Sequence, residues 1–279
     1  MFTRERAIGI MVALLLGVVA FVYGLRSLEW HMTFHPVPLD RARWQPPSGA
    51  SEEWFTTADG IRLHGWYFES NARPETPTII FFHGNTGNIQ DVGWLGQRFH
   101  ERGFNVLLFD YRGYGASEGD VENETGLNAD GDAALAFVIK EKGISPRKIV
   151  LYGQSLGTTV VADVASRRDV GAAILESGLS SASSLAGHAL PWLPQPLHFL
   201  GKNRFESAQK LAKVRAPVLI AHGDPDPVIP ASEARLLFEA ASEPKHLLIF
   251  PGAGHNVFGS LGDSYLNQLV DFIGEATVR

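Results

Sequence analysis

Residues 148–168 read KIVLYGQSLGTTVVADVASRR, and the change of character at Gly153 decides the fold. Lys148–Tyr152 is a continuous apolar run of the length expected for a strand buried on both faces. Leu156–Arg168 then places Val160, Val161, Val164 and Ala165 on one side of a helix. A strand passing directly into a helix through Gly-Gln-Ser-Leu-Gly leaves Ser155 on a tight turn, where the flanking glycines let the chains approach. A serine hydroxyl becomes a nucleophile only when a base takes its proton and the side chain stands clear of the sheet. The turn predicted here satisfies the second condition.

The same alternation extends outward. Apolar runs at Thr78–Phe82, Asn105–Phe109, Ala172–Leu175, Pro217–Ala221 and His246–Phe250 lie among helical patterns at Asn123–Lys142, Ala231–Ala241 and Ser260–Thr277. Upstream, EWFTTADGIRLHGWYF over residues 53–68 reads as a hairpin turning at Asp59-Gly60. The pattern predicts an α/β fold with a mostly parallel central sheet and helices on both faces, its functional residues gathered in the loops after the strands. Asn85 of HGNTGN, Asp224 and Asp226 of HGDPDPVIP, and His255 of PGAGHN fall in such loops.

A second Gly-x-Ser-x-Gly, YGASEG at 114–119, fails the same test. Its strand ends near Asp110, no helix follows at once, and Glu118 would put a carboxylate where an oxyanion must bind. Ser117 therefore reads as structural. For Ser155 the base is His255, which follows a strand and precedes the last helix, whereas His83 and His222 at strand ends read as buried hydrogen-bonding residues. Asp226 is the favoured acid to orient His255, with Asp224 and then Glu176 as alternatives. The oxyanion donors are the backbone N–H groups of Leu156, at the helix start, and of Asn85, after Gly84.

Composition narrows the function classes. The 279 residues carry a formal charge of −6, and residues 1–26 are locally positive, so the rest of the chain is more acidic still. Such a body repels phosphate backbones, and nucleic acid is not an expected partner. Cysteine is absent, and no His-x-x-x-His or Glu-x-x-His spacing occurs, so neither a metal nor an organic cofactor is implied. Ala7–Leu25 contains no charge and as a helix measures about 28 Å, close to the hydrocarbon thickness of a bilayer. Residues 1–26 accordingly read as a transmembrane anchor, an uncleaved segment rather than a removed signal peptide. Arg4 and Arg6 place the N-terminus in the cytoplasm and the body on the non-cytoplasmic side. Residues 27–51, with Trp30, Phe34, Trp44 and several prolines, read as an irregular linker, and 52–279 as the catalytic domain.

FFHGNTGN, DYRGYGASEG, VLYGQSLGTTVV, HGDPDPVIP and GAGHN, in this order, resemble an α/β-hydrolase fold serine hydrolase. The resemblance is to the membrane-anchored α/β-hydrolase domain-containing branch, with its depalmitoylases and acylglycerol or lysophospholipid lipases. It implies a Ser-His-Asp triad of Ser155, His255 and Asp226 and an acyl-enzyme route, with a small acyl-ester or lipid-like substrate. It also accounts for DYRGYG as a recurrent structural loop. Two departures stand out. The depalmitoylases carry palmitoylated, cysteine-rich N-termini where this chain has an apolar span. The insert after the sixth strand, Gly178–Phe205, is short for a lid, although its leucines, Trp192 and Phe199 could wall an acyl pocket. An amide hydrolase of the same fold and a non-catalytic membrane-anchored scaffold are the alternatives. An aspartate-nucleophile dehalogenase is disfavoured by serine at the turn.

Overall fold

A computed structural model describes residues 4–40, 45–70, 76–189, 192, 194 and 201–277. Eight strands form one sheet: β1 (Ala50–Thr56), β2 (Arg62–Phe68), β3 (Thr78–Phe82), β4 (Asn105–Phe109), β5 (Ile149–Gln154), β6 (Ala172–Glu176), β7 (Val218–Gly223) and β8 (Lys245–Phe250). Their spatial order is β8-β7-β6-β5-β3-β4-β2-β1. The β1–β2 and β2–β4 pairs are antiparallel and the others parallel. The helices are α1 (Arg4–Thr33), α2 (Ile89–Glu101), α3 (Glu124–Lys140), α4 (Gly157–Arg167), α5 (Ala182–Ala189), α6 (Ser207–Leu211), α7 (Ser232–Ala240), α8 (Val257–Leu261) and α9 (Asp263–Thr277). The expected α/β-hydrolase architecture, a mostly parallel sheet covered on both faces, is what the chain adopts.

The apolar runs are continuous because each strand serves two cores. Along β5, Ile149 and Leu151 join a layer with Leu127 of α3 and Val160 and Val161 of α4. Val150 and Tyr152 point the other way, to Phe99 of α2 and Leu266 of α9. Burying one such side chain is worth about 1.5–3 kcal/mol, so neither face of the strand tolerates polar residues. β5 and β7 each run two residues past their predicted ends, to Gln154 and Gly223, which carries each strand to the edge of the loops that follow.

Two expectations are corrected. The terminal helix predicted over Ser260–Thr277 is two helices, because Gly262 adopts φ +53 and ends α8 before α9 begins. The irregular linker expected from Ser27 begins later, since α1 continues to Thr33. Ser27–Thr33 contains no proline, and its side chains bind the body: Trp30 Nε1 donates to the Val121 carbonyl at 2.8 Å, and Glu29 accepts from the Lys202 and Asn203 amides. Phe34 is buried at 1% exposure. Beyond it, His35 and Pro36 form a short parallel bridge with Thr86 and Gly87, and Pro38 bridges Gly115. The aromatics Trp30 and Phe34 thus pack on the globular body; Trp44 lies outside the described residues. Within α1, Ile8–Thr33 is long and apolar enough to cross a membrane, and its most apolar stretch is not buried against the protein.

Phe34→Ala should destabilise the full-length protein by about 3–5 kcal/mol, because it empties a closed site in the core. Urea denaturation in detergent micelles followed by tryptophan fluorescence reads this as a lower midpoint, and an unchanged midpoint would return the segment to linker status.

Candidate active site

The turn from β5 to α4 holds Ser155 at φ +52, a left-handed conformation that a side chain rarely adopts. Three neighbours enforce it. The Ser155 amide donates to the Glu176 carbonyl on β6 at 2.9 Å, and its carbonyl accepts from the Thr158 amide and hydroxyl at 3.0 and 2.6 Å. A Cβ on Gly157 would lie 2.0 Å from the Phe82 carbonyl oxygen, and one on Gly153 2.6 Å from the Gly157 backbone. Glycine at these two positions is therefore a requirement of space, as the sequence pattern suggested.

His255 and Asp226 meet. His255 Nδ1 lies 2.7 Å from Asp226 Oδ2; since a carboxylate only accepts, Nδ1–H donates and Nε2 of the neutral ring is left as the basic nitrogen. Asp226 Oδ1 accepts from the amides of Val228 and Ile229 at 2.8 and 3.0 Å. Oδ2 also lies 3.1 Å from His222 Nε2, which is 2.9 Å from the Ile229 carbonyl. Burial opposes ionisation of Asp226, but the His222 and His255 rings and the Ile229 and Val228 amides outweigh it and hold the carboxyl well below the usual carboxylate range. His222 is a third side chain in this cluster, beside Asp226 and His255, that the sequence marked only as a buried hydrogen-bonding residue.

The other acids are engaged elsewhere. Asp224 Oδ1 accepts from the Gly252 amide at 2.8 Å and ties the loop after β7 to the loop after β8. Glu176 is fully buried and binds Tyr152 Oη, Gln154 Nε2 and the amides of Val257 and Phe258. Burial raises its pKa against those donors. It thereby ties the end of β6 to the first turn of α8, two residues after His255.

The loop after β3 approaches the serine. A Cβ on Gly84 would stand 3.6 Å from Ser155 Cβ. His83 Nδ1 donates to the Gly84 carbonyl at 2.8 Å, and burial pushes its pKa down, so the ring is neutral near pH 7. The Asn85 carbonyl accepts from the His35 amide and from Tyr114 Oη, each at 2.9 Å. Beneath this loop Asp110 Oδ1 takes the Ile89 amide at 2.9 Å, with His83 Nε2 at 3.7 Å.

Asn85, Ser155 and Leu156 open on one cavity of about 250 Å³. Leu179, Leu185 and Phe205 wall it from the insert and its exit, and Leu25, Leu28 and Met32 from α1. Of the insert's other apolar residues, Trp192 is 69% exposed, while Leu190, Leu193, Leu197, Phe199 and Leu200, with His198, lie outside the described residues. Among the described residues no group of three or more His, Asp or Glu could hold a metal ion.

Ser117 takes no part in this arrangement. Its Oγ donates to the Asp110 carbonyl at 2.7 Å and accepts from the His64 amide at 2.9 Å, fastening the loop after β4 to β2.

Comparison with known proteins agrees with this architecture. Residues 73–204 match the family described as Hydrolase_4, serine aminopeptidase, S33. An uncharacterised protein of Mycobacterium tuberculosis is 36% identical over 241 residues, covering 86% of this chain and 84% of its own. Alpha/beta hydrolase domain-containing protein 17B of Homo sapiens is 34% identical over 248 residues, covering 86% and 82%. Among solved structures, the Pyrococcus furiosus esterase Pf2001 superposes with a TM-score of 0.69 at 18% identity, over 88% of this chain and 100% of that one. The chain belongs to the α/β-hydrolase family, in the branch of the α/β-hydrolase domain-containing proteins.

Ser117→Ala removes two hydrogen bonds from a half-buried loop and should cost about 1–3 kcal/mol. A fluorophosphonate probe should label this variant as fully as the wild type, and lost labelling in folded protein would give Ser117 a chemical role.

Proposed function

We propose that the protein is a membrane-anchored serine hydrolase that cleaves carboxylic esters. Ser155 is the nucleophile, His255 the general base and acid, and Asp226 the carboxylate that orients His255. The observation that carries this reading is the Ser155 backbone, a strained non-glycine conformation maintained at the wall of an apolar cavity. Strain of this kind persists where the surrounding structure enforces it and the position is used.

In the reaction, the Ser155 oxygen forms a bond to the ester carbonyl carbon while His255 Nε2 takes the hydroxyl proton. The tetrahedral intermediate collapses by breaking the bond to the alkoxy oxygen, which leaves as the alcohol with the proton from His255. Water then adds to the acyl-serine, again giving its proton to His255; the bond from the acyl carbon to the Ser155 oxygen breaks, His255 returns the proton to that oxygen, and the acid leaves. The low pKa of Asp226 keeps it ionised throughout, so it stabilises the imidazolium without competing for its proton. The amides of Leu156 and Asn85 receive the oxyanion. His83 supports the second assignment: it holds the Gly84 carbonyl, and in a trans peptide the Asn85 N–H points the opposite way.

A second reading, amide hydrolysis, is favoured by the aminopeptidase description of the matching family. An aminopeptidase must bind its substrate's ammonium group. The acid lining this cavity, Glu29, already accepts from the Lys202 amide at 2.6 Å and from Asn203 N and Nδ2 at 2.7 and 2.8 Å. An apolar cavity whose acid is taken suits an acyl group better than a charged peptide end. For the anchor, the apolar surface of α1 supports a bilayer around it, with the N-terminus in the cytoplasm and residues 52–279 as the catalytic part on the other side.

Fluorophosphonate labelling should occur at Ser155 and vanish in Ser155→Ala, with ester turnover falling by at least about 10³-fold. An unlabelled, folded wild type would favour the scaffold alternative, and faster cleavage of peptide anilides than of p-nitrophenyl esters would favour the amidase. Asp226→Asn should lower kcat by roughly 10²–10⁴-fold and Asp224→Asn by less than about threefold; the reverse ranking would reassign the acid. Full-length protein should stay in the membrane fraction through alkaline carbonate, and its release would remove the anchor.

A further inference from the structure

The cavity at Ser155 is partly built by the helix that carries the apolar span. Leu25, Leu28 and Met32 lie at i, i+3 and i+7 and so share one face of α1, and all three line the cavity. Leu28 and Met32 are 43% and 47% exposed, and Val228, from the loop that carries Asp226, is 59% exposed and lines the same cavity. Exposed apolar side chains that converge on a cavity mark a ligand groove rather than core. This end of α1 is held in place by its polar groups: Glu29 is bound by the amides at 202 and 203, and Trp30 by the Val121 carbonyl.

The position of this wall along the helix is informative. If Ala7–Leu25 fills the hydrocarbon layer, Leu25 sits at its boundary and Met32 stands about 10 Å beyond, at the level of the headgroups. The groove then begins where the apolar layer ends and reaches the nucleophile. An acyl chain leaving the bilayer at this point exchanges lipid contact for Leu25, Leu28 and Met32 without exposing its length to water.

We propose that the last two turns of α1 are a wall of the acyl site, and that the substrates are long-chain acyl esters that enter from the bilayer along the Leu25–Leu28–Met32 face. This rests on the ester-hydrolase reading of Ser155 and adds to it a substrate class and a second role for the anchor. The helix is part of the specificity, and the chain length preferred is set by residues that a tether alone would not need.

The test uses full-length protein in nanodiscs and p-nitrophenyl acetate, octanoate and palmitate. Leu28→Trp and Met32→Trp fill the groove from its α1 side and should lower the ratio of palmitate to acetate kcat/KM by about tenfold or more. An ethyl fluorophosphonate labels Ser155 in each variant if it is folded, which separates a filled groove from a lost fold. An unchanged ratio in labelled variants would overturn the proposal. A second measurement needs no bulky side chain. The natural sequence has no cysteine, so Met32→Cys provides a unique thiol. Prior reaction of Ser155 with hexadecyl fluorophosphonate should protect this thiol from iodoacetamide, and ethyl fluorophosphonate should not. Equal alkylation after both would overturn the α1 wall while leaving the hydrolase intact. Failure of the hexadecyl probe alone to label wild-type Ser155 would overturn the long-chain site, and failure of both probes would overturn the hydrolase reading and the proposal with it.

Discussion

Everything at the centre of this molecule depends on how closely α4 approaches the end of β3. The carbonyl of Phe82 lies against the α-carbon of Gly157, with no room for a side chain between them. That contact lets β5 turn into α4 within three residues and leaves Ser155 no right-handed alternative. The amide of Ser155 is then tied to β6, so three adjacent parallel strands define one backbone conformation. The strain is local, but the whole sheet maintains it. Any substitution that widens the β3–α4 spacing would relax the serine before it touched the chemistry.

The same economy governs the loops around the serine. Asp226 serves two histidines and two amides, and Asp110 and Tyr114 anchor the segments that bracket Asn85. Glu176, buried and with a raised pKa, joins β6 to the first turn of α8 and so sets where the residues after His255 begin. Of these, Asp110, Tyr114 and Glu176 have no step in the reaction proposed for Ser155. They replace water as hydrogen-bond partners for backbone that would otherwise be free to move, which is the usual way a site on loops acquires the rigidity of its scaffold.

Much of the fold was legible because the strands are buried on both faces and so stand out as short unbroken apolar runs; Thr78–Phe82 and Asn105–Phe109 are bounded as the sequence predicts. Ser155, Asp226 and His255 stood out as candidates for a related reason, since only certain residues fit a tight turn or a loop after a parallel strand. Other parts were hidden by tertiary contacts. Helix α2 contains Gly93 and Gly96, poor helix formers, yet a Cβ on Gly96 would meet Phe68 and Leu108 at 2.5 and 2.9 Å. The sheet demands what helix propensity argues against. The end of α1 was equally opaque, because Ser27–Thr33 looks like the polar and aromatic segment just after a span, and the partners that hold Glu29 and Trp30, at 202, 203 and 121, are distant in sequence. The role of His222 needed the fold of its own loop, which brings Asp226 back beside it.

The bridge between His35–Pro36 and Thr86–Gly87 changes where this protein can be cut. A boundary at Glu52, the natural place to trim an apolar N-terminus for solubility, would delete the amide that holds the Asn85 carbonyl, the Pro38 contact to Gly115 and the Phe34 ring together. A boundary at Arg26 keeps these contacts but leaves about two turns of α1, with the partly exposed Leu28 and Met32 facing water. Solubility and an unaltered loop after β3 are thus opposing demands on the same dozen residues, and a shortened protein that stays in solution reports on a site already changed.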